Sequence, residues 1–237
     1  MCVSEVHTCR TGILTEARQA VISVICGFQA DPSKPVKKRL AVVQRLPQPL
    51  RVQRWLIRAV IALAFVAAVS QWFYRWQRER RYDSLILSAS RRYGVDPALV
   101  KAVIWRESRF KASARGRVGE LGLMQIREAA GREWATAEKK AGFNERHLAD
   151  PDTNLYAGSW YLAHLLKRYR AVDDPLPYAL ADYNAGRTHV LRWMQGAAKT
   201  NSAAFIAKMD FPGTRHYIES VRGKYSSYRQ TFRGDTK

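Results

Sequence analysis

Residues 83–107 read DSLILSASRRYGVDPALVKAVIWRE, and this stretch decides the fold. Asp83 is placed to cap a helix that closes near Gly94, because glycine tolerates the left-handed conformation in which helices commonly end. Asp96-Pro97 then predicts a fresh start, with a side-chain acceptor at the N-cap and a proline at the first helical position, where no amide proton is needed. The second helix runs to about Glu107, with Leu99, Val100, Val103 and Ile104 at the spacing of one apolar face. Toward the C-terminus, residues 110–122 contain Gly116, Gly119 and Gly122 and read as a loop. Helical patterns resume over 126–139, 154–170, 175–183, 189–195, 202–209 and 214–233. No stretch alternates like a long strand, so a mostly α body is expected.

Toward the N-terminus, Ala59 to Val69 are eleven uncharged and almost wholly apolar residues. Extended to residues 55–76, the segment is long enough to span a bilayer, and Trp55, Trp72, Tyr74 and Trp76 are the ring types that favour its two interfaces. Arginines flank both ends: Arg51, Arg54 and Arg58 on one side, Arg75, Arg78, Arg80 and Arg81 on the other. Adding Lys34, Lys37, Lys38, Arg39 and Arg45 tips the positive-inside balance toward a cytoplasmic N-terminus and an exported C-terminal body. Alternatively, Ala68-Val69-Ser70 is a small-x-small cleavage site, which makes 51–70 a signal peptide; the body is exported in both cases. The expected organisation is a basic, poorly ordered tail over 1–54, a transmembrane helix or signal segment over 55–76, and a helical domain over 77–237.

The 237 residues carry 40 Lys and Arg against 20 Asp and Glu, a net charge of +20 that favours a polyanionic partner. The basic excess is densest in the first third, where residues 1–81 hold 14 basic and 4 acidic side chains. Zinc-finger spacing, Arg-rich repeats and the aromatic-glycine signature of an RNA-binding sheet are all missing, so no nucleic-acid partner is expected. Cys2, Cys9 and Cys26 fall within the first 26 residues and form neither a C-x-x-C pair nor a disulfide framework. No metal site and no cofactor are expected. The apolar run from Ala20 to Phe28 is too short to span a membrane, and Ile25 before Cys26 matches a lipoprotein signal poorly.

Three short stretches carry chemistry. Glu107-Ser108-Arg109-Phe110 puts a carboxylate at a helix end, after an apolar face and before a glycine-containing loop. Half-burial there would raise its pKa and suit it to proton donation near neutral pH. Gly119-Glu120-Leu121-Gly122-Leu123-Met124-Gln125-Ile126 combines close-approach glycines with an amide that can read sugar hydroxyl or acetamido groups; Met124 alone reads as core packing. Ala181-Asp182-Tyr183-Asn184-Ala185-Gly186 sets a phenol and an amide beside a helix-ending glycine.

Taken in order, Tyr93-Gly94-Val95-Asp96-Pro97-Ala98-Leu99-Val100, Glu107-Ser108, Gly122-Leu123-Met124-Gln125, Asn154 with Gly158 and Tyr161-Leu162, and Tyr183-Asn184-Ala185-Gly186 closely resemble the catalytic domain of the soluble lytic transglycosylases. These are peptidoglycan-cleaving enzymes with a lysozyme-like fold related to goose-type lysozyme, and the match covers roughly residues 83–230. The resemblance implies cleavage of the β-1,4 bond between N-acetylmuramic acid and N-acetylglucosamine without net addition of water. It implies Glu107 as the single catalytic acid and base, with substrate-binding positions at Ser108, Gly122, Met124, Gln125, Tyr183 and Asn184. The partners implied are peptidoglycan glycan strands and, through the N-terminal helix, the inner membrane of a bacterium, with the catalytic domain in the periplasm. The run Phe211-Pro212-Gly213-Thr214-Arg215-His216-Tyr217-Ile218, with Tyr225 and Tyr228 after it, resembles the family's closing helix, and its aromatics are assigned to packing.

Some positions depart from the family's pattern. Ala112 stands where proline is common, Gly116 where a substrate-contacting serine is common, and Glu120 and Asp182 where alanine is common; Arg127-Glu128 follows the glutamine where an apolar or hydroxyl residue and proline are frequent. Glu120 and Asp182 are expected to face solvent without effect on the chemistry. Two alternatives stay open on these residues: a hydrolytic, lysozyme-like muramidase, and a weakly active peptidoglycan-binding module of an envelope assembly.

Overall fold

The computed structural model describes residues 48–234. The Lys34–Arg39 stretch and the three cysteines lie outside them, as does most of the expected tail. Of the described residues, 48–62 belong to one unit and 63–234 to another.

Helix α1 (Gln48–Arg80) begins in the first unit and ends in the second. At a rise of about 1.5 Å per residue it exceeds the roughly 30 Å hydrocarbon thickness of a bilayer. Val60, Ile61, Leu63, Phe65 and Val66 are all exposed along it. It is the one helix among the described residues that is long and apolar enough to cross a membrane, by length and composition. In the last turn, Arg78 donates to the Arg109 carbonyl and Glu79 accepts from the Tyr228 hydroxyl.

The second unit is helical throughout its regular structure. After the turn at Arg81 and Tyr82 come α2 (Asp83–Tyr93), α3 (Pro97–Ser108), α4 (Glu128–Ala137), a 3-10 turn (Glu145–Ala149), α5 (Pro151–Arg168), α6 (Pro175–Ala185), α7 (Arg187–Trp193), α8 (Ser202–Lys208) and α9 (Pro212–Gly234). The expected mostly α body is what the chain builds. Gly94 closes α2 at φ 68, and the Asp96 side chain accepts from the Ala98 amide at 2.9 Å to open α3. Asp150 and Asp174, each before a proline, cap α5 and α6 in the same manner. Asp83 departs from expectation. It is the first residue of α2 rather than its cap, and its carboxylate accepts from Lys101 Nζ at 2.5 Å. Lys101 is only 2% exposed, and the rings of Tyr228 and Phe232 flank it at 5.2 Å. A buried ammonium needs such partners, because desolvation without them would neutralise it.

α3 is the central element. Ala98 through Ile104 are buried without interruption, more than the one face that periodicity predicts, because α9 packs along α3 while α2 covers another side. α5 bridges α2, α4 and α6, and α6 touches α5, α7, α8 and α9. The core is continuous from Ile86 through Leu123, Leu155 and Tyr178 to Tyr217 and Val221. Tyr178 stacks on Phe205 at 3.9 Å and donates its hydroxyl to the Ala198 carbonyl at 2.8 Å, so the phenol is buried without loss of its hydrogen bond. This packing holds the C-terminal end of α3 between the 110–127 loop, α6 and α9.

Candidate active site

Glu107 lies in the last turn of α3. The chain leaves the helix through two non-glycine residues in the left-handed region, Arg109 (φ 52) and Phe110 (φ 62). Burial of Phe110 at 3% exposure holds that unfavourable geometry in place. The loop then folds on itself through antiparallel bridges from Arg115 to Leu121 and from Leu121 to Ile126.

Asn154 of α5 anchors this loop. Its Nδ2 donates to the carbonyls of Leu121 (2.7 Å) and Leu148 (2.8 Å), and its Oδ1 accepts from the Met124 amide at 2.8 Å. Gly122 makes the approach possible: its φ is 77, and a Cβ there would come within 2.3 Å of Asn154 Nδ2 and 2.7 Å of the Leu148 carbonyl. Gly158 performs the same service for Met124, whose Sδ would meet a Cβ at 2.3 Å.

A cleft of about 700 Å3 runs past this loop, and Glu107, Gln125, Tyr183 and Asn184 all line it. Four of the seven expected site residues therefore meet in one place, although they are drawn from α3, the loop and α6. Ser108, Gly122 and Met124 are not among the residues that line the cleft. Ser108 is buried and donates to the Leu123 carbonyl at 2.7 Å; Met124 is fully buried; Gly122 faces Asn154. All three shape the loop from behind, because the apolar side of that loop closes the core. Gln125, at φ 50, donates Nε2 to the Gly122 carbonyl at 2.8 Å. Tyr183 donates its hydroxyl to the Met124 carbonyl at 2.7 Å, and its ring lies 5.6 Å from that of Tyr161. Asn184 Oδ1 accepts from Thr214 Oγ1 at 3.0 Å.

One residue outside the expected set touches Glu107 itself. Tyr217 of α9, assigned to packing by its neighbours in sequence, donates its hydroxyl to Glu107 Oε1 at 2.6 Å. The 110 residues between them leave no local signal for the contact; the quoted 211–218 run was the only pointer to that helix. Burial pushes the Glu107 carboxyl up from 4.5 to about 7; the Tyr217 hydrogen bond and the Arg106 charge oppose the rise, and the Glu120 charge adds to it. Burial together with the Glu107 charge also holds the hydroxyls of Tyr183 and Tyr217 well above the usual tyrosine range, so both stay neutral donors. A carboxyl that is half protonated near neutral pH can give a proton and take one back within a single reaction cycle.

The two extra acids part company. Glu120 lines the cleft. Asp182 touches its floor but is 2% exposed, with Oδ2 accepting from Arg168 (2.8 Å) and from the Tyr169 hydroxyl (2.6 Å). It is a buried structural partner rather than the solvent-facing acid expected. Among the described residues no group of His, Cys, Asp or Glu is arranged to hold a metal ion.

This architecture is similar to that of known proteins. The chain superposes on the lytic transglycosylase Slt from Pseudomonas aeruginosa, in an inactive mutant form, with a TM-score of 0.59 and 23% identity over 65% of this chain and 25% of that one. The 70 kDa soluble lytic transglycosylase from Escherichia coli gives 0.58 and 25% identity over 64% of this chain and 24% of that one. By sequence, the chain is 34% identical over 174 residues to membrane-bound lytic murein transglycosylase C from Klebsiella pneumoniae subsp. pneumoniae. The corresponding protein from Salmonella typhi is 33% identical over the same length. These alignments cover 65% of this chain and 48% of each relative, so the chain spans about half the length of the relatives it matches. The profile described as Transglycosylase SLT domain matches residues 84–206, just over half of the chain, and the chain belongs to that family.

Proposed function

We propose that this protein is a peptidoglycan lytic transglycosylase that cleaves the β-1,4 bond between N-acetylmuramic acid and N-acetylglucosamine, with Glu107 as its single general acid and base. One observation carries the reading: a carboxyl in the cleft that burial displaces to about 7 and a neutral phenol holds, in a chain whose relatives are lytic murein transglycosylases. In the first step the protonated Glu107 gives its proton to the glycosidic oxygen as the bond to the anomeric carbon breaks. The carboxylate then takes the proton of the muramoyl C6 hydroxyl, whose oxygen bonds to the anomeric carbon. The product is a 1,6-anhydro sugar, Glu107 is protonated again, and no water is consumed. An intramolecular nucleophile removes the need for the second carboxylate that most glycosidases use.

Tyr217 occupies Oε1 and leaves Oε2 for the substrate. The other cleft residues have each spent one hydrogen-bonding group internally. Gln125 keeps its amide oxygen and Tyr183 its phenolic lone pair as acceptors, while Asn184 keeps its amide N–H groups as donors. That mixture fits sugar hydroxyls and acetamido groups. In this proposal residues 77–237 form the catalytic domain and residues 55–76 of α1 cross the membrane, with the N-terminus cytoplasmic and the domain in the periplasm. The apolar, exposed length of α1 and the name of the membrane-bound relatives support it.

Mass spectrometry of products released from purified sacculi tests the reaction. The full chain in mild detergent should release anhydromuropeptides and Glu107→Gln none. Reducing-end products would indicate a hydrolase instead, and the absence of product from both would favour a binding module.

A further inference from the structure

Glu120 is a second carboxylate of the cleft with no part in the reaction as written. It is half-buried and lines the same cleft as Glu107. Its carbonyl accepts from the Gly116 amide at 2.8 Å, and its side chain folds back over the same glycine, where Oε2 accepts from the Val118 amide at 3.1 Å. A Cβ on residue 116 would lie 2.0 Å from that Oε2 and 2.8 Å from the Glu120 Cβ. Gly116 is not among the residues at positive φ, so glycine is required there by space rather than by conformation. The two departures at 116 and 120 are therefore one arrangement, in which a carboxylate fills the volume that a side chain at 116 would take. Among the described residues no ion pair engages Glu120, and Oε1 has no hydrogen bond.

We infer that Glu120 is a substrate-positioning carboxylate, held over Gly116 so that its Oε1 accepts a hydrogen bond from an N–H or O–H of the glycan beside the bond that Glu107 protonates. The inference rests on the proposed glycan cleavage. A charged acceptor takes a shorter and stronger hydrogen bond than a hydroxyl would. It also repels the carboxylates of the peptide stems, which selects for the sugar backbone at this point of the cleft. Its field acts on Glu107 in the same sense, favouring the protonated acid against the opposing Tyr217 and Arg106.

The test uses the full chain in detergent acting on purified sacculi, with kcat and KM measured for the parent, Glu120→Gln, Glu120→Ala, Gly116→Ser and the Gly116→Ser/Glu120→Ala double variant. Glu120→Gln keeps the shape and the Val118 contact but loses the charge, and should lower kcat/KM by about 10- to 100-fold, mainly through KM, with an unchanged melting temperature. Gly116→Ser alone should lose activity, because its side chain meets the carboxylate. In the Glu120→Ala background the carboxyl that the serine meets is gone and only the 2.8 Å approach to the Cβ of residue 120 remains, so the same serine should cost less activity than it does in the parent, a coupling that independent sites do not show. A Glu120→Gln enzyme within about twofold of the parent overturns the inference. So does an activity loss matched by a fall in melting temperature, which assigns Glu120 to holding the loop. Full activity in Glu107→Gln would instead overturn the underlying acid and base assignment, which these comparisons at 116 and 120 do not touch.

Discussion

Replacing Glu107 by glutamine should abolish activity and at the same time make the protein more stable, by an amount that depends on pH. The folded carboxyl titrates at about 7 against 4.5 for an unburied one. Between those values the folded state holds a proton that the unfolded chain has released, so stability falls as pH rises through this window. Below about pH 4 the group is neutral in both states and the difference vanishes. Above about pH 8 it is ionised in both, and the folded protein carries the whole penalty, about 3 kcal/mol at 1.36 kcal/mol for each tenfold change in proton affinity. Glutamine has the same shape, still accepts from Tyr217 and bears no charge at any pH. Other titrating groups are shared by the two proteins and cancel in the comparison. Denaturant unfolding of parent and Glu107→Gln in detergent, followed by tryptophan fluorescence at about pH 4, 6 and 8, should give curves that nearly coincide at the lowest pH and separate by up to about 3 kcal/mol at the highest. For a domain of this size that corresponds to roughly 6–12 °C in melting temperature. A separation independent of pH, or a variant less stable than the parent at pH 8, would refute the claim that burial of the ionised acid is what raises its pKa.

Tyr217→Phe removes the one hydroxyl that stabilises the Glu107 anion, so the alkaline limb of the kcat/KM profile should move upward by about one pH unit, read from initial rates on sacculi. Asn154→Leu keeps the bulk but strands the Leu121 and Leu148 carbonyls and the Met124 amide; urea unfolding should show a loss of about 3 kcal/mol or more, accompanied by a fall in kcat. Asp182→Asn breaks a buried pair whose Arg168 can still reach solvent, and should cost about 2 kcal/mol while the anhydro product is retained; a change of product would contradict its structural role. The net charge of +20 predicts that the inactive Glu107→Gln protein binds sacculi less at about 0.5 M than at 0.05 M salt in a pull-down, since peptide-stem carboxylates are its counterions; salt-insensitive binding would argue for neutral recognition.

Much of the architecture was readable without coordinates because it is written in local signals. The αL glycine at 94 and the Asp96-Pro97 start act within four residues of themselves, and each set an element boundary; Asp150-Pro151 is the same kind of signal and opens α5 three residues ahead of the expected 154. Asp83 was the exception, since its side chain is claimed by Lys101 eighteen residues away rather than by its own helix. The cleft was readable in part. Glu107, Gln125, Tyr183 and Asn184 carry functional groups at recognisable spacings, but Ser108 and Met124 carry theirs equally well and are turned inward.

Sequence by itself determined the mostly helical class, the order of the elements, the apolar helix ahead of the domain and the placement of the Glu107 carboxyl at a helix end, because capping, periodicity and motif spacing are short-range properties of the chain. Tertiary structure alone decided which side chains face the cleft, that Tyr217 holds the acid, that Asp182 is buried against Arg168, and that Glu120 fills the space over Gly116. Those outcomes follow from burial and from partners that fold back from distant segments. The pKa of Glu107 is the sum of such contributions, and desolvation by elements more than a hundred residues away is one that no local pattern records.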